Sequence, residues 1–372
     1  MEEKSLKEKT VNGVMWSAED RFLSQGIQFI FNILIARLLL PEDYGVVAML
    51  GIFFAVAQAF IDSGFGSALI RKNNRTEDDY NTVFYFNIAI SILFCSLIWV
   101  AAPWIAQFYG IPLLTEVTRV ISFTLVINAF GAIQGVKLSI DLDFRKKAII
   151  SIITIFVIGI VGLWMAFRGF GVWALVAQNV VGAITRTVTS WITVHWWPQL
   201  RFSWLSFKEM FSFGSKLLAT GLIDTIWGNM YNLVIGKFFA PAALGVYNRA
   251  ESFATFPSAN IYGLIQGVLY PSLCKIQDDK ERLKNNFRQV VRLSSFVVFP
   301  MMIGLTAVAD PFIRFVLTDT WAEAIPLLQL LSLSLVMYPL SAINITFPNV
   351  LGRSDYYFNS SLRDKGVDII SL

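Results

Sequence analysis

The chain has 372 residues, 55% of them hydrophobic and only 15% charged, with 32 Phe and 11 Trp. Soluble domains carry about 25% charged residues, so this balance excludes an ordinary water-soluble domain and makes lipid the solvent for most of the surface. The net charge of +4 is scattered over short loops and points to no nucleic-acid partner.

The opening MEEKSLKEKT mixes acids and bases and is followed by no short apolar stretch with a small-residue cleavage site. It therefore does not read as a secretory signal, and the first span is kept. Crossing a hydrocarbon core of ~30 Å takes about 20 helical residues. Ten such spans are expected, at about 13–37, 44–69, 81–108, 115–138, 148–168, 171–196, 211–237, 243–272, 289–309 and 324–348. The run from Val83 to Phe108 carries no charge, nor does that from Ile149 to Phe167. Loops between spans are too short for a separate soluble domain. Segments 1–12, 71–80, 139–147, 197–210 and 273–292 hold seventeen Lys and Arg; the loops on the opposite side hold five. Basic residues collect on the cytoplasmic side, which puts the N-terminus there.

The chain repeats itself. ILIARLLLPEDYGVVAM at 33–49 is answered by LVIGKFFAPAALGVYNR at 233–249, with Arg37 over Lys237, Pro41 over Pro241 and Gly45 over Gly245. AAPWIAQF at 101–108 is answered by ADPFIRFV at 309–316, and ISFTLVINAFGAI at 121–133 by LSLSLVMYPLSAI at 331–343. Halves of six spans each would enter the membrane in the same orientation, as parallel repeats do in transporters. Pro41 and Pro241 are expected to open the second helix of each half, where a missing N–H costs little. Gly45 and Gly245 are expected to allow close helix packing one turn further in.

Polar residues inside spans are costly unless they face a cavity or a partner. Ser17, Arg21, Ser24, Gln28 and Asn32 form one stripe on the first span, and Asp20 flanks it. The seventh span carries Lys216, Thr220, Asp224 and Asn232; the eighth carries Asn248, Arg249, Glu251, Ser252, Thr255 and Ser258. Gln58 and Asp62 add to these from the second span, and Arg186 stands isolated in the sixth. A polar-lined central cavity follows, although Asp20 with Arg21 and Arg249 with Glu251 also suit local pairing. His195 reads as an interfacial residue beside Trp196 and Trp197, and Cys95 and Cys274 support no disulfide framework. No Walker loop, nucleophile elbow or HExxH motif occurs, so no cofactor, metal site or catalytic residue is expected.

The segments GVMWSAEDRFLSQGIQFIFNILIARLLLPEDYGVVAM, FIDSGFGSALI and DLDFRKKA resemble the bacterial polysaccharide repeat-unit flippases (the Wzx group). That group shares a superfamily with lipid II flippases and MATE exporters. The resemblance implies an all-α polytopic inner-membrane protein of two lobes working by alternating access. Residues 1–200 would form a six-helix N-terminal lobe, 201–358 a four-helix C-terminal lobe, and 359–372 a tail outside the membrane. The implied cargo is an undecaprenyl-diphosphate-linked oligosaccharide, with membrane lipid and polysaccharide polymerase machinery as partners. Arg21 and Arg249 suit its diphosphate, because Arg carries a planar, permanent charge. Gln28, Asn32, Asn232 and Asn248 suit its sugars, and Asp62, Asp224 and Glu251 suit a coupling ion by position. Members of the group have at least twelve spans; the second half here is expected to stop after four, as in a truncated form. A MATE-like exporter of small molecules is the alternative reading of the same architecture. A glycosyltransferase using polyprenyl-phosphate sugars is another, which the short outer loops disfavour.

Overall fold

In the computed structural model, residues 23–62, 64–274 and 280–337 are described. They form fourteen α-helices and one 3-10 turn, and no strand occurs among them. Local chemistry sets most of the boundaries. Helix α1 spans Leu23–Ala36. The next, α2 (Pro41–Met49), begins on its proline, with Glu42 and Asp43 in the first turn and the Leu40 N–H donating to Asp43 Oδ2 at 3.0 Å. Carboxylates at this position complement the positive helix end. Helices α3 (Gly51–Asp62) and α4 (Phe65–Arg71) follow.

The segment expected as one span at 44–69 is thus three helices. Gly64 takes φ +70°, and a Cβ there would lie 2.9 Å from Gly214 Cα. Only glycine turns the chain left-handed at such a contact without strain. The pair α1 and α2 is bent by 118°.

Helix α5 (Glu77–Tyr109) is capped by Thr76, whose Oγ1 accepts from the Asp79 N–H while Asp79 Oδ2 accepts from the Thr76 N–H. It closes on Gly110 at φ +72°. Helices α6 (Leu113–Ile140), α7 (Phe144–Phe167, capped by Asp143) and α8 (Val172–Thr193) follow. Then come α9 (Trp204–Gly228), α10 (Met230–Phe238), α11 (Pro241–Cys274), α12 (Lys280–Ala307), α13 (Ala309–Val316), a 3-10 turn at Asp319–Trp321 and α14 (Ala324–Leu335). Helix α11, like α2, starts on its proline. Of the other two expected repeats, the second copy of 121–133, at 331–343, lies partly outside the described residues, and the pair at 101–108 and 309–316 differs between its copies. AAPWIAQF lies inside the unbroken α5, whereas ADPFIRFV is α13, a helix set off from α12 at Val308.

Among the described residues five stretches are long and apolar enough to cross a membrane, α3 and α4 counted together as Gly51–Arg71, or six if the bent pair α1 and α2 counts as one span. Helices α8 and α9 are long enough but carry Gln178, Asn179, Arg186, Lys216 and Asp224, which lowers their apolar character. Large apolar side chains such as Leu97, Trp104, Ile160 and Phe167 lie on the outside, as a lipid-facing surface requires.

The chain falls into two compact units, one ending at Gly245 and the other beginning at Val246. In the first, α6 packs against both α5 and α8, and α7 against α8. Side chains cross these interfaces to backbone carbonyls: Thr187 Oγ1 donates to that of Ile127 at 2.8 Å, and Trp191 Nε1 to that of Phe130 at 2.8 Å. With no water in the hydrocarbon, such partners are obligatory. The second unit is built around Ile313, Leu317, Trp321 and Leu328, all fully buried, with Val298, Met302 and Val336 forming a second cluster.

Candidate functional site: a polar cavity in the first unit

Four helices of the first unit each turn one stripe of small or polar residues to a common space. Gln58 and Asp62, one turn apart, come from α3; Asn128, Gly131 and Gly135 come from α6. Lys147 and Ser151, again one turn apart, come from α7, and Arg186, Thr187 and Ser190 from α8. The space is partly open and has a volume of about 700 Å3, inside the range of small-molecule sites. Gly131 lets α8 approach: a Cβ there would sit 3.1 Å from Thr187 Oγ1.

The cavity's charges are two cations and one carboxylate. Asp62 Oδ1 accepts a hydrogen bond from Gln58 Nε2 at 2.9 Å. Lys147 Nζ donates to Ser139 Oγ at 2.6 Å, at the edge of the cavity. Neither Lys147 nor Arg186 has a carboxylate within ion-pair distance among the described residues. The site can hold polar and anionic groups within an otherwise apolar bundle.

The expected site residues are distributed as follows. Asp62 and Gln58 line the cavity, and Arg186, isolated in the sequence, joins them. Gln28 and Asn32 are exposed on α1, and Asp224 is exposed on α9. Asn232 is half-buried on α10. Asn248, Arg249 and Glu251 are half-buried in the second unit, where the Arg249 guanidinium lies 5.7 Å from the centre of the Trp321 ring. Arg21 lies outside the described residues, as do Ser17, Asp20 and the tail at 359–372. Lys147 was not expected, because it follows Arg145 and Lys146 in a basic turn. Its four-residue spacing to Ser151 was the signal that it belongs to the cavity face.

A polar network at the basic end of this unit ties the segment between α8 and α9, and the start of α9, to α5 and the end of α4. Trp196 Nε1 donates to Glu77 Oε2 at 2.8 Å. The Gln199 N–H donates to Asn81 Oδ1 at 2.8 Å and the Ser203 N–H to Thr82 Oγ1 at 3.0 Å. Lys72 pairs with the fully buried Asp79 at 3.0 Å and with Glu209 at 2.9 Å. Burial alone would lower the Lys72 ammonium, but its hydrogen bonds to Glu209 and Asp79 outweigh that and raise it.

Known proteins share this architecture. The inward closed conformation of the lipid II flippase MurJ superposes with a TM-score of 0.75 at 15% identity, covering 96% of this chain and 81% of that one. An inward-facing MATE family multidrug resistance transporter superposes with a TM-score of 0.67 at 15% identity, over 88% and 82% of the two chains. At such identities the likeness shows the fold alone: an all-α, polytopic, MATE- and lipid-flippase-like membrane protein. In sequence, the teichuronic acid biosynthesis protein TuaB of Bacillus subtilis is 26% identical over 96% of this chain and 75% of its own length. The succinoglycan biosynthesis transport protein ExoT of Rhizobium meliloti is 27% identical over 89% of this chain and 67% of its own. The model of one family matches residues 34–326, a stretch that takes in every helix lining the cavity, and the chain belongs to that family, the polysaccharide biosynthesis proteins.

Proposed function

We propose that this protein is a flippase of the bacterial inner membrane. It turns an undecaprenyl-diphosphate-linked oligosaccharide repeat unit from the cytoplasmic to the periplasmic leaflet for assembly of a surface polysaccharide. The observation that carries the reading is the cavity: hydroxyls, amides and an excess of cations on a partly open space between helices whose outer faces are apolar. A hydrated, anionic head group meets a large barrier in bare hydrocarbon, and a polar site within the bundle lowers it. Family membership supports polysaccharide assembly as the setting.

In this reading the lobes are residues 1–200 and 201–358, the N-terminus is cytoplasmic, and the lobes rock in alternating access. Arg21 and Arg249 hold the diphosphate. Gln28, Asn32, Asn232 and Asn248 contact sugars, and Asp62, Asp224 and Glu251 carry a coupling ion. A polymerase receives the unit on the outer side. Removal of the protein from its cell should make lipid-linked repeat units accumulate on the cytoplasmic face, with loss of the surface polymer. Unchanged polymer and no accumulation would sink the proposal.

A further inference from the structure

We infer that the outer face of α12 carries a docking surface for anionic phospholipid, built from Lys284, Arg288 and Arg292. The surface belongs to the second unit and shares no residue with the polar cavity.

Helix α12 has two distinct faces. Ser294, Val298 and Met302 recur at steps of four and are buried, the last two in a cluster with Val336 at the end of α14. Arg288, Arg292 and Phe296 recur at the same step on the opposite side. Ile303 returns to that side eleven residues after Arg292, about three turns on. Phe296 is 76% exposed and Ile303 53%, as for side chains that face acyl chains. The cations on the same face therefore stand where acyl chains give way to headgroups.

Length fixes that level. From Leu293 to the end of α12 at Ala307 the helix carries no charge. These residues rise about 22 Å, less than the ~30 Å hydrocarbon core. Arg292 thus sits at the edge of the core, and its apolar stem lets the guanidinium reach the phosphates. Arg288 lies one turn further out, in the headgroup layer. Lys284 lies a turn beyond it, within reach of the surface potential.

Lys284, Arg288 and Arg292 are exposed, and none has a carboxylate within ion-pair distance among the described residues. Residues 281–292 hold four cations against one acid, Glu281. A basic face in bulk water calls for no partner. This one continues without a break into a lipid-facing surface, so phosphates are its nearest neighbours. Two arginines one turn apart can each clamp a phosphate through paired N–H donors. A zwitterionic lipid offers that phosphate together with its own ammonium; an anionic one, such as phosphatidylglycerol, offers it alone. Each cation beside a span favours anionic lipid about fivefold.

The test uses the full chain lacking Cys95 and Cys274, with a fluorophore on Asn285→Cys, an exposed position beside the stripe. The protein is reconstituted in phosphatidylcholine vesicles containing spin-labelled phosphatidylglycerol or, in parallel, spin-labelled phosphatidylcholine. Quenching reports which lipid sits at the stripe. Phosphatidylglycerol should quench at about 5- to 25-fold lower mole fraction. Arg288→Gln with Arg292→Gln should bring the two lipids level, and the corresponding pair of lysine substitutions should keep most of the preference. Equal quenching by both lipids before any arginine is replaced overturns the inference, as does a preference that survives the glutamine pair. An equal loss in the lysine pair would mean a damaged helix rather than a removed charge, and overturns it too. Arg201→Gln with Lys208→Gln removes two exposed cations around the start of α9; a loss of the same size there would trace the preference to net charge and not to this face. Finally, unlabelled phosphatidylglycerol should displace the spin-labelled lipid at least as well as an equal amount of a polyprenyl diphosphate. Stronger displacement by the diphosphate assigns the stripe to the cargo lipid and overturns the phospholipid assignment.

Discussion

Gly45 and Pro241 meet backbone to backbone. A Cβ added at Gly45 would fall 1.7 Å from the Pro241 carbonyl oxygen, and one added at Gly245 would fall 1.8 Å from that of Pro41. The duplicated proline and glycine positions therefore contact each other reciprocally, each repeat's glycine against the other's proline. Each proline opens its helix, and its carbonyl is presented to the opposite glycine.

Replacing either glycine should consequently do more than remove backbone freedom. Gly45→Ala or Gly245→Ala forces two backbones apart and should cost about 1–3 kcal/mol, as overpacking does. The melting temperature in detergent should fall in both variants and by similar amounts. A Gly45→Ala protein as stable as wild type would mean the two helices do not meet this closely.

The ion pairs of Lys72 support a second prediction. Lys72→Met strands the carboxylate of Asp79, which is 0% exposed, and should destabilise the protein by about 1–3 kcal/mol. Glu209 is 61% exposed, so Glu209→Ala should cost less than about 1 kcal/mol. The Lys72 ammonium is raised above its ordinary value. Its contribution is therefore fully present at neutral pH and lost only as pH climbs through the raised value. Denaturant titration of both variants at neutral pH gives the ranking, and equal losses would contradict it.

Trp321 is fully buried beneath the Arg249 guanidinium. Trp321→Ala leaves a cavity and should cost about 3–5 kcal/mol. Arg249→Gln removes the cation over the ring and should cost about 0.5–2 kcal/mol. Stability measured separately from transport distinguishes the two roles of Arg249. A transport defect in Arg249→Gln with unchanged stability would favour contact with cargo over support of the fold.

Orientation is open to direct labelling. Leu200 is 94% exposed in a basic loop, and Leu113 opens α6 after a base-poor turn. In a variant lacking Cys95 and Cys274, a cysteine at 113 should react with an impermeant thiol reagent on intact cells. One at 200 should react only after permeabilisation. The reverse pattern would invert the topology.

The sequence carried the helix starts at Pro41 and Pro241 because proline at a first helical position is a local signal. It did not carry what the glycines touch, since spacing along the chain names no partner on another helix. The breaks at Leu50, Gly64 and Asn229 were hidden for a different reason. Apolar periodicity runs through each of them, and the left-handed turn at Gly64 depends on a contact with Gly214, 150 positions away. In the site, Gln58 and Asp62 were legible as a pair one turn apart. Arg186 looked isolated because its companions, Asn128 and Lys147, arrive from two other helices. Lys147 was masked by its basic neighbours, although Ser151 one turn on marks the same face.

The central claim is that this protein moves a lipid-linked oligosaccharide across a bilayer. The most direct measurement places the purified chain in liposomes whose inner leaflet alone holds a polyprenyl-diphosphate oligosaccharide, with an external lectin reporting its appearance outside. The account predicts that the lectin-accessible fraction rises with protein present and stays flat in protein-free vesicles. A flat signal from correctly inserted wild-type protein, in vesicles where it does export a small organic cation, would contradict the account and favour a drug exporter.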